Sequence, residues 1–200
     1  MALNFQYNKT YLQQLNKGLK VRENALPTLV AKESALRLEV KKAKEQVMVI
    51  ERELQEQYNA HSSTHRLWKE IPAGIIKVSR VDTDFKKIAG VKTPVLREVK
   101  FDLQRYSAFS LPAWVPSGIE ILKNLASLKI SLDLARKKVD ILEFARKKTT
   151  QKVNLYEKVQ IPEYRDAIRR IKRFLEDEEN LSKSSQKILK AKIAEAEAVK

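Results

Sequence analysis

Two histidines, His61 and His65, stand four residues apart, a spacing that puts both on one face of a helix and from which a metal site can be built. No third ligand candidate stands near them, and the chain has no cysteine, which excludes both a thiolate metal site and a disulfide. The pair therefore reads as seam or surface. No glycine-rich phosphate loop and no nucleophile elbow occurs. No catalytic residue, cofactor site or metal site is assigned. The remaining chemistry is charge. Basic clusters lie at Arg136 to Lys138, at Arg146, Lys147 and Lys148, and at Arg169, Arg170, Lys172 and Arg173, with an acidic run from Glu176 to Glu179. A net charge of +15 calls for an acidic partner, whether nucleic acid, membrane surface or protein. The cations are interspersed with acids and lack a stripe of exposed aromatics, so a solvated helix face or a protein partner fits better than nucleic acid. Asn8 opens an N-K-T glycosylation triplet, but nothing indicates secretion.

The elements that must carry these charges are long helices. The 200-residue chain has only four glycines and is 32% charged, a composition that favours extended helix. Leu15, Leu19, Leu26, Leu29, Leu36, Val40, Ala43, Val47, Ile50 and Leu54 follow alternating four-three spacing, broken only by Arg22 and Glu33. Such a seam specifies a left-handed coiled coil. It extends through Tyr58, His61, His65 and Trp68 to Pro72 and Gly74, which predicts a helix of about 90 Å from Asn8 to Glu70, bent at Pro27. A second seam starts after a cap at Ser117. It runs through Leu125, Leu128, Leu132, Ala135, Val139, Leu142, Arg146, Thr149, Val153 and Tyr156, and resumes beyond Pro162 with Ile168, Ile171 and Leu175. Pro162 should cause a kink or a short unwound turn. Leu181, Ile188, Leu189 and Ile193 thin the seam toward the end.

Between the helices the pattern changes. "IIKVSRV" and "VLREVKFDL" alternate with period two, and "AGVKTP" reads as the loop before the second strand. Val95, Arg97, Val99 and Phe101 should share one face. The two tryptophans should pack this middle piece. The expected architecture is mostly α: a long antiparallel two-helix coiled coil with a small middle insertion containing a short β-hairpin. The division is 1–70 for the first helix, 71–116 for the insertion and 117–200 for the second helix, kinked near Pro162. No secretory leader and no apolar run near 20 residues is visible, so a cytoplasmic chain, or one peripheral on a membrane complex, is expected.

Three stretches, in order, resemble a known family. "KVNLYEKVQIPEYRDAIRRI", carrying Val153-Asn154, Glu157 and Ile161-Pro162, is similar to the C-terminal signature of the D-subunit family of V-type (vacuolar/archaeal) ATPases: R-V-N-A-L-E, a short apolar run, I-P, then a charged helix. Lys152 replaces the usual arginine, and Leu155-Tyr156 the usual Ala-Leu. "KKIAGVKTPVL" resembles the family's A-G-V-x-x-P element. The N-terminal stretch resembles its P-T-K-x-x-L pattern, with Lys9 and Leu12 agreeing.

The resemblance implies a central rotor shaft without chemistry of its own and without a cofactor. Its coiled coil would enter the hexamer of A and B subunits. Its other end would join the small F subunit and the C (or d) subunit on the membrane rotor ring. It would transmit torque between ATP synthesis or hydrolysis and proton or sodium transport, at the cytoplasmic face of the membrane and with no direct membrane insertion or nucleic acid. Arg146, Lys147, Lys148, Arg169, Arg170 and Arg173 are the expected contacts to the A/B hexamer, and Val95, Arg97, Val99 and Phe101 those to the F subunit. A free-standing coiled-coil adaptor or chaperone, and a basic nucleic-acid-binding rod, are the alternatives the residues leave open.

Overall fold

The computed structural model describes residues 6–62, 67–72, 74–106 and 111–198. Their order is helix α1 (Lys9–Ala60), a 3-10 turn (Leu67–Glu70), strands β1 (Ile76–Ile88) and β2 (Val91–Leu103), helix α2 (Val115–Asn154), a π-helical segment (Leu155–Gln160) and helix α3 (Ile161–Ala198). The chain is mostly helical, with long N- and C-terminal helices and one antiparallel hairpin between them, as its pattern predicts. It forms two compact units, Met1–Ala31 with Thr149–Lys200, and Lys32–Lys148.

In the first unit, the start of α1 packs antiparallel on α3. Asn8 caps α1 through its side-chain oxygen, which accepts the Tyr11 N–H at 2.6 Å. Leu15, Ala167, Ile168 and Ile171 form the buried core, with Tyr11, Leu12, Leu19, Tyr164 and Leu175 around it. α1 is unbroken at Pro27.

The segment before Pro162 is a wide turn, not an unwound one. Continuing the spacing of Val153 and Tyr156 would place the seam at Gln160, Glu163, Ala167 and Arg170. The buried residues are instead Ile161, Ala167, Ile168 and Ile171, so the isoleucines stand one position later than that rule, while Arg170 is exposed. Tyr156 and Ile161 are five apart where the seam asks for four. A π turn supplies that extra residue, because its hydrogen bonds span five, and the Ile161 N–H bonds to the Tyr156 carbonyl. Pro162 then falls where the bonding pattern reverts to α. There its missing N–H costs least.

In the second unit, the rest of α1 runs antiparallel to α2. Leu36, Val40, Ala43 and Leu142 form one buried cluster, closed by Val139, Ala145 and the hairpin tip residues Ile88, Ala89 and Val91. α1 ends at Ala60, short of the expected Glu70. The Ser62 hydroxyl there donates to the Asn59 carbonyl at 2.8 Å, a side-chain bond that competes with the helix backbone. Tyr58, expected on the seam, is 52% exposed. α2 begins at Val115 rather than at a Ser117 cap. A second cluster of Ile75, Val115 and Ile119 is lined by Ile71, Ile76, Tyr106, Leu111 and Trp114. Trp68 meets Trp114 edge to face at 5.9 Å, and Trp114 Nε1 donates to Glu70 at 3.1 Å. Gly118 lies beneath that indole; a Cβ there would stand 2.6 Å from a ring carbon.

The hairpin is longer than its alternation suggested, and its loop is shorter. Only Ala89 and Gly90 turn, both at positive φ, as the tight mirror-type turns of hairpins require. Val91 to Pro94 belong to β2 instead of a loop. Proline is tolerated there because both strands of a two-stranded sheet are edges. The register pairs Ile76 with Leu103 and Ile88 with Val91, but Ser79 and Arg97 have no opposite partner. Each is a bulge, and each reverses the alternation of its strand.

Candidate functional site

The seam is the feature with the largest claim on function, and its residues divide between the units. In the first, Leu15, Ile168 and Ile171 are buried; Leu19, Leu26, Leu29, Val153, Tyr156 and Leu175 are half-buried. In the second, Leu36, Val40, Leu54, Leu132 and Leu142 are buried; Val47, Ile50, Leu125, Leu128 and Val139 are half-buried. Leu181, Ile188, Leu189 and Ile193 are exposed.

Polar side chains fix the pairing of the helices. Arg22, a break in the seam by type, donates from Nε to the Gln160 side chain at 2.8 Å and from a second nitrogen to the Gly18 carbonyl at 2.9 Å. Its guanidinium lies 4.2 Å above the Tyr164 ring. Gly18 lets that ring approach, since a Cβ there would stand 2.8 Å from Tyr164 Cε1. Arg22, Gln160, Tyr164 and Gly18 thus form a latch at the π turn, and Arg165 pairs with Glu23 at 2.7 Å beside it. Sequence reasoning misses this latch; the one signal for it is the five-residue step from Tyr156 to Ile161. In the second unit Lys44 bridges Glu143 at 2.6 Å, Arg136 bridges Glu51, and Lys138 donates to Gln46 at 3.1 Å. The Lys44 hydrogen bond holds the Glu143 carboxyl below its ordinary value, with Arg146 adding a smaller pull.

Of the cations singled out by type, Lys147, Lys148, Arg169, Arg170 and Arg173 are exposed, whereas Arg146 is half-buried. Arg169 bridges Asp166 at 2.6 Å, and Lys148 lies 4.5 Å over the Phe144 ring. His61 is half-buried, and His65 lies outside the described residues. Among the described residues no group of three or more His, Cys, Asp or Glu side chains could hold a metal ion, and no helix is long and apolar enough to cross a membrane.

Residues 11–191 match the family described as the D subunit of ATP synthase. The chain belongs to the ATP synthase D-subunit family. The D subunit of the V-type ATP synthase of Borreliella burgdorferi is 30% identical over 194 residues, covering 96% of this chain and 94% of the relative. That of Chlamydia pneumoniae is 26% identical over 198 residues, covering 96% and 95%. That of Chlamydia caviae is 29% identical over 176 residues, covering 86% and 85%.

In this D-subunit family member, the motif residues Asn154, Glu157, Ile161 and Pro162 bracket the π turn: Asn154 ends α2, Glu157 lies within the π segment, and Ile161 and Pro162 open α3. The hairpin residues expected to act together are split. Directly opposed residues share a face, so the pairs Val81–Val99, Thr83–Leu96 and Phe85–Pro94 lie on one side, and Asp82–Glu98, Asp84–Val95 and Lys86–Thr93 on the other. Val99 and Phe101 therefore stand with Leu96. Val95 faces the opposite way, into a cleft it shares with Ala43, Val49, Ile50 and Ile88, and Arg97 occupies the bulge. The expectation of one shared face failed because the extra residue at Arg97 reverses the count.

Proposed function

We propose that this chain is the central shaft of a V-type rotary ATPase, a non-catalytic component that transmits torque between an A/B hexamer and a membrane rotor ring. The observation that carries the reading is the antiparallel pairing of α1 with the C-terminal helices through an apolar seam in each unit, in a chain that matches the D-subunit family over residues 11–191. Paired helices resist bending and twisting better than one. A shaft must also avoid deep energy wells as it turns. Exposed ion pairs suit this, since each contributes only about 0.2 to 1 kcal/mol and is readily exchanged.

In this reading Lys147, Lys148, Arg169, Arg170 and Arg173 face acidic loops of the surrounding hexamer, with Arg146 contributing from its half-buried position. The hairpin contacts the small F subunit of the stalk, and the C (or d) subunit joins the shaft to the membrane ring. The chain works at the cytoplasmic face of the membrane without inserting into it. Affinity purification of the tagged chain from its native source tests the reading. Recovery of the A and B subunits with a small F-like protein is expected. A symmetric homodimer without them would favour an adaptor and overturn the shaft.

A further inference from the structure

The bulges at Ser79 and Arg97 do more than lengthen the hairpin: they sort its charges by face. All four hairpin carboxylates, Asp82, Asp84, Glu98 and Asp102, fall on one side, together with Lys77, Arg80, Lys86 and Lys100. That side neutralises itself. Asp82 is bridged by both Arg80 and Lys100, and Lys100 also reaches Glu98. The opposite side carries no carboxylate. Lys87 and Lys92 sit across from each other at its turn end, and Val81, Thr83, Phe85, Pro94, Leu96 and Val99 form the strip beside them. Phe85 is 72% exposed, the highest value for a large apolar side chain among the described residues. Near the tip it is the carboxylate side that meets the helices of this unit, through Ile88, Val91 and Val95. The apolar strip there is directed away from them.

We infer that this strip docks an amphipathic helix of a partner protein whose apolar stripe is bordered by carboxylates. The inference deepens the hairpin contact proposed above and rests on it. Two strands about 4.8 Å apart offer a face whose width suits one helix about 10 Å across. The apolar residues supply burial, and Lys87 with Lys92, unbalanced on their own side, select carboxylates at one end. A second copy of this chain is disfavoured, because like faces would set lysine against lysine. A lipid surface fits less well, because the cations are confined to one end of a narrow strip.

A photo-reactive benzoylphenylalanine in place of Phe85, irradiated in the assembled complex, tests this, with a second probe in place of Asp84 on the opposite face. The expected product links position 85 to a carboxylate-bordered helical segment of another protein. Its yield should fall roughly fivefold in Lys87→Glu/Lys92→Glu, the scale of two exposed ion pairs made repulsive. Links to the chain's own helices, to a second copy or to lipid would overturn the proposal, as would a yield insensitive to the lysines. If only the probe at position 84 captures a partner, the hairpin contact stands and this face assignment falls. If neither does, the hairpin contact itself falls.

Discussion

The hairpin and the C-terminal helix both contain surplus residues, and they dispose of them differently. In the hairpin, Ser79 on β1 is offset by Arg97 on β2, so the register at the turn is the same as at the base. In the helix, the extra residue between Tyr156 and Ile161 has no counterpart. It is absorbed in one wide turn, and the seam beyond stands one position later. A strand is hydrogen-bonded to a neighbour and must settle an insertion with that neighbour. A helix bonds to itself and settles it locally, at the cost of turning every later side chain.

The largest effects should come from breaking the seam on either side of the π turn. Leu142→Ala before it and Ile171→Ala after it each remove a fully buried side chain and should cost about 2 to 5 kcal/mol. Arg170→Ala, at the position the unshifted seam would have used, should cost less than about 0.5 kcal/mol. Denaturant titration of the three variants measures this, and equal losses at Arg170 and Ile171 would contradict the shift. The hairpin should respond next. Deleting Ser79 alone leaves Arg97 unmatched and should cost roughly 1 to 3 kcal/mol, whereas deleting both should recover most of it. Hydrogen exchange at Ile76 and Ile88 distinguishes the two.

The π turn offers a finer test. If the five-residue spacing dictates it, Pro162→Ala alone keeps the π segment. Deletion of Val159 together with Pro162→Ala converts it to α-helix, with stability within about 1 kcal/mol of the parent. Structures of both variants decide; loss of the π turn in Pro162→Ala would make the proline its cause. The smallest effect should be electrostatic. The Lys44 bridge lowers the folded-state pKa of Glu143. Its contribution is therefore present above the ordinary carboxylate pKa of about 4.3 and is lost as pH falls through the lower folded value. Glu143 is half-exposed, so Glu143→Gln should change stability by less than about 1 kcal/mol at pH 7 and flatten the acid limb of a stability–pH curve.

The helices were legible in the sequence because an apolar spacing repeated over many turns has few other readings. Leu15 to Leu54 and Leu125 to Leu142 are such runs, and most of their members are buried or half-buried. What escaped were single-residue departures from a period. The alternation of Val95, Arg97, Val99 and Phe101 is regular in the sequence, and only pairing with β1 reveals that Arg97 is surplus. Pro162 drew attention to the correct turn of the helix, but the form of that turn follows the five-residue step from Tyr156 to Ile161, which the seam rule does not contain. The Arg22 latch was hidden because an arginine at a seam position reads as a defect until its acceptor, Gln160, is known.

Rotation of the chain tests the account most directly. The sequence has no cysteine, so Asp102→Cys, at an exposed position near the base of the hairpin, provides a unique attachment for a bead. The complex is then held to a surface through its other subunits. On addition of ATP the account predicts that the bead turns continuously in one direction; a bead that stays fixed while ATP is hydrolysed would contradict it.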